Sequence, residues 1–148
     1  VLGPEDGMQP GEVGIYPLAT TGLPSPELKT LVTDAVANDK KVRPLTDHVL
    51  VFDPVEIEFT VEGEVTPYAD ADANTVLAAA QTAIEAKVAA MAAQLGTDIV
   101  IGQLERAAEV PGLYDIVLTA PAADQILTAE EWAHCTGVTL TLAPAEEG

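Results

Sequence analysis

Positive charge is scarce in this sequence. Six Lys and Arg stand against 24 Asp and Glu, for a formal net charge of −18. A nucleic-acid backbone or an anionic bilayer surface repels such a chain, so neither is expected as a partner. Cysteine is nearly absent. Cys135 is the single thiol, so no internal disulfide can form and no disulfide scaffold is expected. No apolar run is long enough to cross a membrane. No signal-peptide pattern is present. The chain opens on Val1 and reads as a piece of a longer polypeptide or as a processed chain. Aromatic residues are few, and Ala, Val and Leu carry most of the apolar mass. A core built from them favours helices laid closely on a sheet through small side chains.

What is present suffices for one globular core: 48% of the 148 residues are hydrophobic. The acidity has an ordinary account, solubility, and a sharper one, a basic partner surface.

Residues 1–14 are rich in Gly, Pro and acid and read as a linker or arm. Val13 to Leu18 can form a first strand. Ser25-Pro26-Glu27 starts a helix, with a hydroxyl to cap free N–H groups, Pro where no N–H partner is needed, and acid at the positive dipole end. Leu28, Leu31, Val32, Ala35 and Val36 then line one helical face, which fades near Asn38 to Lys41. Val42 to Asp47 reads as an extended connector, since Pro44 keeps Arg43 out of the helical region. Val49 to Phe52 reads as a strand.

The clearest pattern spans Glu56 to Thr66. Ile57, Phe59, Val61 and Val65 alternate with Glu56, Glu58, Thr60, Glu62, Glu64 and Thr66. Strict period two predicts a strand with one buried and one wet face. Gly63 interrupts the apolar row and marks a bulge or a close approach. A long helix follows, started at Asp70, Asp72 or Asn74 and running to about Leu95, with Leu77, Ala80, Ile84, Val88, Met91 and Leu95 as its stripe. Thr97 is the expected cap of a further helix over Asp98 to Glu109, stopped by Pro111-Gly112. Leu113 to Thr119 reads as a strand. Ala120 to Thr136 reads as irregular, with Thr128 to Glu131 as a capping box for one short helix. Val138 to Leu142 is the last strand, and 143–148 a tail.

The element order is β-α-β-β-α-α-β-β. It predicts an α+β fold, a ferredoxin-like sandwich over residues 15–142, with one mostly antiparallel sheet and helices on one face. The sheet's other face carries the Glu row.

Candidate chemistry is thin. Asp70-Ala-Asp72-Ala-Asn74 imitates the start of a calcium loop, but Thr75 stands where Gly is needed and Gln81 where the closing Glu belongs, so helix capping is the better reading. His48, His134 and Cys135 lack metal-ligand spacing and carry no nucleophile pattern. Glu56, Glu58, Glu62 and Glu64 share a strand face, yet an acid–base pair needs one carboxyl raised by burial, and this row alternates with the buried side. An exposed row facing a basic partner is the functional alternative. Trp132 and Tyr114 read as packing residues first and as contacts second.

Several stretches carry a family resemblance. They are Ile15 to Leu28, reading IYPLATTGLPSPEL, and Val42 to Val49, reading VRPLTDHV. Further on come Leu95 to Asp98, Val110 to Tyr114, Leu118 to Asp124 and Cys135 to Thr139. In this order and at these separations the chain resembles the baseplate J-like assembly proteins of contractile-tailed phages. The resemblance implies the C-terminal part of a longer structural protein, sited in the virion tail baseplate and in the host cytoplasm during assembly. Other baseplate wedge and hub proteins are the implied partners, and it brings no catalytic motif and no cofactor. Similar sequences are more basic around the second helix than this chain is. Glu56, Glu58, Glu62, Glu64 and Trp132 are the candidate partner contacts. A small ferredoxin-like ligand-binding or regulatory domain is the alternative, and would need a concave site with convergent polar groups. An enzyme has the least support, as no Ser/His/Asp set, phosphate loop or metal quartet is present.

Overall fold

The alternation over Glu56 to Thr66 becomes the central strand of the molecule. The structure is a computed structural model that describes residues 1–37 and 48–148. β3, Val55–Pro67, runs between β4, Leu113–Ala120, and β5, Glu131–Leu142, in a three-stranded sheet of order β4-β3-β5. Phe59, Val61, Gly63 and Val65 are buried along it while Glu58, Thr60, Glu62 and Glu64 are exposed. The buried side is covered by α2, Ala73–Ala92, and α3, Ile101–Ala107. Val76, Ala80, Ile84 and Met91 of α2 meet Phe59, Val61 and Val65 of β3, Ile116 of β4, and Ala133 and Leu140 of β5 in one core. Leu104 and Ala108 enter it from α3 and its end. A fully buried aliphatic side chain such as Ile84 contributes about 1.5–3 kcal/mol.

Local chemistry sets the helix ends. The Asp72 carboxylate accepts from the N–H groups of Asn74 and Thr75 at 3.0 and 3.2 Å, so the acidic run before α2 is a helix cap. α3 begins later than Thr97 suggests, and its N-terminal residue Val100 offers no side-chain cap. Its cap comes from far along the chain. The Ile101 N–H donates to the Asp124 carboxylate at 2.8 Å, and in return the Leu127 N–H donates to Asp98 at 2.8 Å. Ile99 and Gln125 exchange two backbone hydrogen bonds between these contacts.

The N-terminal part makes a second, separate sheet. β1, Glu12–Ile15, pairs in parallel with β2, His48–Val51, so that Glu12 faces His48 and Ile15 faces Val51. Between them in sequence lies α1, Pro26–Val32, followed by a π-helical turn, Thr33–Ala37. The Ser25 hydroxyl accepts from the Leu28 N–H at 3.2 Å and Pro26 occupies the first turn, as the Ser-Pro-Glu start requires. Leu2 is buried and bridges to Gly14. At the other end, Glu146 exchanges backbone hydrogen bonds with Pro67 and Ala69.

Four further expectations change. One sheet becomes two, because β1 and β2 pair only with each other among the described residues. The main sheet is mixed and not mostly antiparallel: β3 is antiparallel to β4 and parallel to β5. Period two records which face a side chain takes and is silent on strand direction. The helix expected at Thr128 to Glu131 is a turn. Glu131 does accept from the Thr128 N–H at 2.7 Å, as in a capping box, but its own N–H donates to the Thr128 carbonyl and the chain then extends into β5. The stripe of α1 is not fully covered either, with Leu31 67% exposed. The helix end at Asn38 to Lys41 and the connector at Val42 to Asp47 lie outside the described residues.

Gly63 carries the register between β3 and β4. A Cβ there would lie 2.6 Å from the Val117 carbonyl oxygen and 2.8 Å from Leu118 Cδ2, and the ladder shifts between Glu62 and Gly63. Gly63→Ala is therefore expected to lower stability in urea unfolding by about 1–3 kcal/mol. Gly137→Ala, where a Cβ meets nothing within 4 Å, is expected to change it by less than about 0.5 kcal/mol. Equal losses at the two sites would refute the close-approach account.

Candidate functional site

The outer face of the main sheet collects the carboxylates. Glu56, Glu58, Glu62 and Glu64 all point to the exposed side of β3. The parallel register sets Glu56 beside Trp132, Glu58 beside His134, Glu62 beside Thr139 and Glu64 beside Thr141. On the other flank Glu64 faces Val117, which is 55% exposed. None of the ion pairs among the described residues brings a Lys or Arg to this row. Lys29 pairs with Asp53 at 2.8 Å, and Lys87 bonds to Gln103 on the helix side. The row is thus acidic with one exception, His134, whose Nδ1 lies 2.5 Å from Glu56 Oε1.

The upper and lower halves of the row differ. Glu62 and Glu64 are flanked in the ladders by Thr139, Thr141, Ala120 and Val117, and none of the ion pairs among the described residues reaches them. Around Glu56 and Glu58 the imidazole of His134 sits over the carboxylates. Its ring stacks on Trp132, with centroids 4.6 Å apart and planes 15° from parallel. This grouping cannot be found from spacing alone, because it needs the parallel register of β3 and β5. Glu, Glu and His are 76 or more residues apart in sequence across the two strands, as the Glu58 to His134 pairing shows.

Trp132 is used within the chain. Only 6% of it is exposed, and its Nε1–H donates to the Ala92 carbonyl at the end of α2 at 2.8 Å. Its far edge is covered by Gly22. There a Cβ would stand 3.1 Å from Trp132 Cη2, and the φ of +114° suits glycine alone. Ala19 and Gly22 exchange backbone hydrogen bonds that hold this turn shut. Trp132 therefore fastens the segment after β1 to α2 and β5. Nearby, desolvation and then the Glu130 carboxylate push the Tyr16 hydroxyl up.

The other candidates fall to structural roles. His48 stands 3.9 Å from Glu12 beside β1, with a different glutamate from His134. Cys135 faces Phe59 across the β3–β5 ladder and packs against the core. Burial raises its thiol above the ordinary value, although hydrogen bonds with the backbone at Gly137 and Val61 oppose this. Tyr114 is half exposed and meets Tyr68 edge-on at 5.3 Å.

The family model of the Baseplate J-like protein C-terminal domain matches residues 55–141, more than half of the chain. The chain belongs to the baseplate J-like family. The Baseplate J-like central domain is matched by residues 1–53. The two baseplate J-like matches meet at Asp53 and Pro54, between β2 and β3, where one sheet gives way to the other. Baseplate protein J of Escherichia phage P2 is 27% identical over 135 residues, covering 91% of this chain and 44% of that protein. The chain spans less than half the length of that baseplate J relative.

Trp132 is the single tryptophan, so its emission reports on this junction alone. Trp132→Phe keeps an aromatic ring and loses the donor to Ala92, an expected cost of about 1 kcal/mol. Trp132→Ala is expected to cost about 3–5 kcal/mol and to speed proteolysis between residues 18 and 24. A variant cut no faster there would show that Trp132 does not hold the segment. The raised Cys135 thiol is expected to alkylate more slowly at pH 8 than a free thiol, because less thiolate is present, and to catch up in denaturant.

Proposed function

We propose that this chain is a structural component of a contractile phage or prophage tail baseplate, joining a wedge assembly through protein–protein contacts and performing no catalysis. The observation that carries this reading is the succession of the central and C-terminal baseplate J-like domains, in that order, over residues 1–53 and 55–141. In this reading the chain works in the virion tail baseplate and assembles in the host cytoplasm. Its partners are other wedge and hub proteins. Residues 15–142 act as one docking body, to which 1–14 are joined through the pairing of β1 with β2 and 143–148 through the hydrogen bonds of Glu146. Support for one body comes from the packing of Trp132 against Gly22.

The outer face supplies the contact chemistry. Glu56, Glu58, Glu62 and Glu64 repel one another, and a basic partner surface laid across them removes that repulsion. Trp132 contributes at one remove, as the support under His134. Both edges of the main sheet, β4 and β5, have a strand on one side only among the described residues, which leaves backbone groups available to a neighbour.

Co-expression with the other baseplate proteins of the same tail, followed by co-purification, tests the assembly role. A complex is expected, and its affinity is expected to fall as salt rises from about 0.1 to 0.5 M. Glu62→Gln with Glu64→Gln is expected to weaken it about tenfold while leaving thermal stability unchanged. Binding that ignores both salt and these substitutions would remove the carboxylate row from the interface. Failure to bind any baseplate protein would remove the reading itself.

A further inference from the structure

We infer that Glu56, Glu58 and His134 form a binding site for a divalent transition-metal ion on the outer face of the main sheet. One ligand atom from each of the three residues lies within 4.8 Å of the other two. An ion bound at about 2.0–2.2 Å to each donor needs them about 3–3.5 Å apart. The His134 Nδ1 and Glu56 Oε1 are already in contact at 2.5 Å, and an ion between them would part them by about 0.5–1 Å.

Three features make this more than crowded acid. The first is backbone placement. Glu56 and Glu58 are two apart on β3, hence on one face, and the parallel ladder sets Glu58 opposite His134. The second is orientation of the nitrogen donor. Trp132 stacks on the imidazole, and Trp132 is itself buried and tied through Nε1–H to Ala92. A ligand ring held by its surroundings loses little freedom on binding a metal. The third is charge. Two carboxylates are held together in a chain of net charge −18, with no Lys or Arg ion pair at the row among the described residues, and a dication neutralises both at once.

The donor set selects the ion class. One imidazole nitrogen and two carboxylates suit Zn²⁺, Co²⁺, Ni²⁺ or Mn²⁺. Ca²⁺ takes six to eight oxygens and is served poorly by a site with a nitrogen at its centre. The ligands are partly exposed, so water or a side chain from a docked protein completes the shell. Such an ion would join β3 to the start of β5, beside the turn at Gly22.

The test uses the chain stripped with chelator, with Zn²⁺ titrated by calorimetry and Co²⁺ followed by its absorption spectrum. One ion per chain is expected, with binding by Ca²⁺ weaker. Ni²⁺ or Cu²⁺ is expected to quench the emission of Trp132, whose ring lies against the ligand imidazole. His134→Ala and Glu58→Gln are expected to lower affinity about tenfold or more. Both positions are partly or fully exposed, and circular dichroism checks that each variant folds. His48→Ala, and Glu62→Gln with Glu64→Gln, are expected to leave binding unchanged. Absence of stoichiometric Zn²⁺ binding, or equal binding by His134→Ala, overturns the site. Because the docking test alters Glu62 and Glu64 alone, either idea can fail without the other.

Discussion

The two-faced character of β3 governs this structure. A strand paired on both sides has no freedom to slip when one of its faces is dry. Shifting β3 by one residue would drive Glu58, Glu62 and Glu64 into contact with α2 and put Phe59, Val61 and Val65 in water. Unpaired buried carboxylates cost several kcal/mol each, so the register is set by the charges as firmly as by the apolar groups. Gly63 adds a steric condition, since β4 comes too close there for any side chain. From this one strand follow the depth of the core, the position of the long helix and the acidity of the opposite face.

Much of that was legible in the sequence, for a physical reason. Face preference is written in the spacing of apolar residues, so β3, α2 and the Ser25 start of α1 could be read directly. The start of α2 was readable to within Asp70, Asp72 or Asn74, because short polar side chains before an apolar stripe cap free N–H groups, and the structure selects Asp72. Strand direction is not written there. Whether β5 lies parallel or antiparallel to β3 depends on the path of the intervening chain, and the same alternation serves both. Separation into two sheets was hidden for the same reason, since the strands of the N-terminal part carry only four residues each. The short motif at Thr128 misled because a Glu three residues on from a Thr closes a turn as readily as it opens a helix.

The candidate contacts divide along the same line. The Glu row was visible as a wet face, and the structure leaves it exposed. Trp132 looked like a choice between packing and contact, and Gly22 and Ala92 occupy its ring and its N–H. What no spacing rule could supply was the meeting of Glu56, Glu58 and His134, which depends on a parallel ladder between strands far apart in the chain. Family membership comes from the matched domains and not from any of these features, because an α+β sheet under two helices serves many unrelated tasks.

The exchange of hydrogen bonds between residues 98–101 and 124–127 has a mechanical consequence. Asp98 and Asp124 each serve an N–H on the opposite segment, with the Ile99–Gln125 pair between them. Neither segment can detach without stranding the other's donor, so α3 and the connection that carries the chain from β4 across to β5 open as a single cooperative unit. A pull on that connection by a docked neighbour would be felt at α3 and, through Leu104, in the floor of the core. The clasp thus makes one rim of the domain a rigid handle.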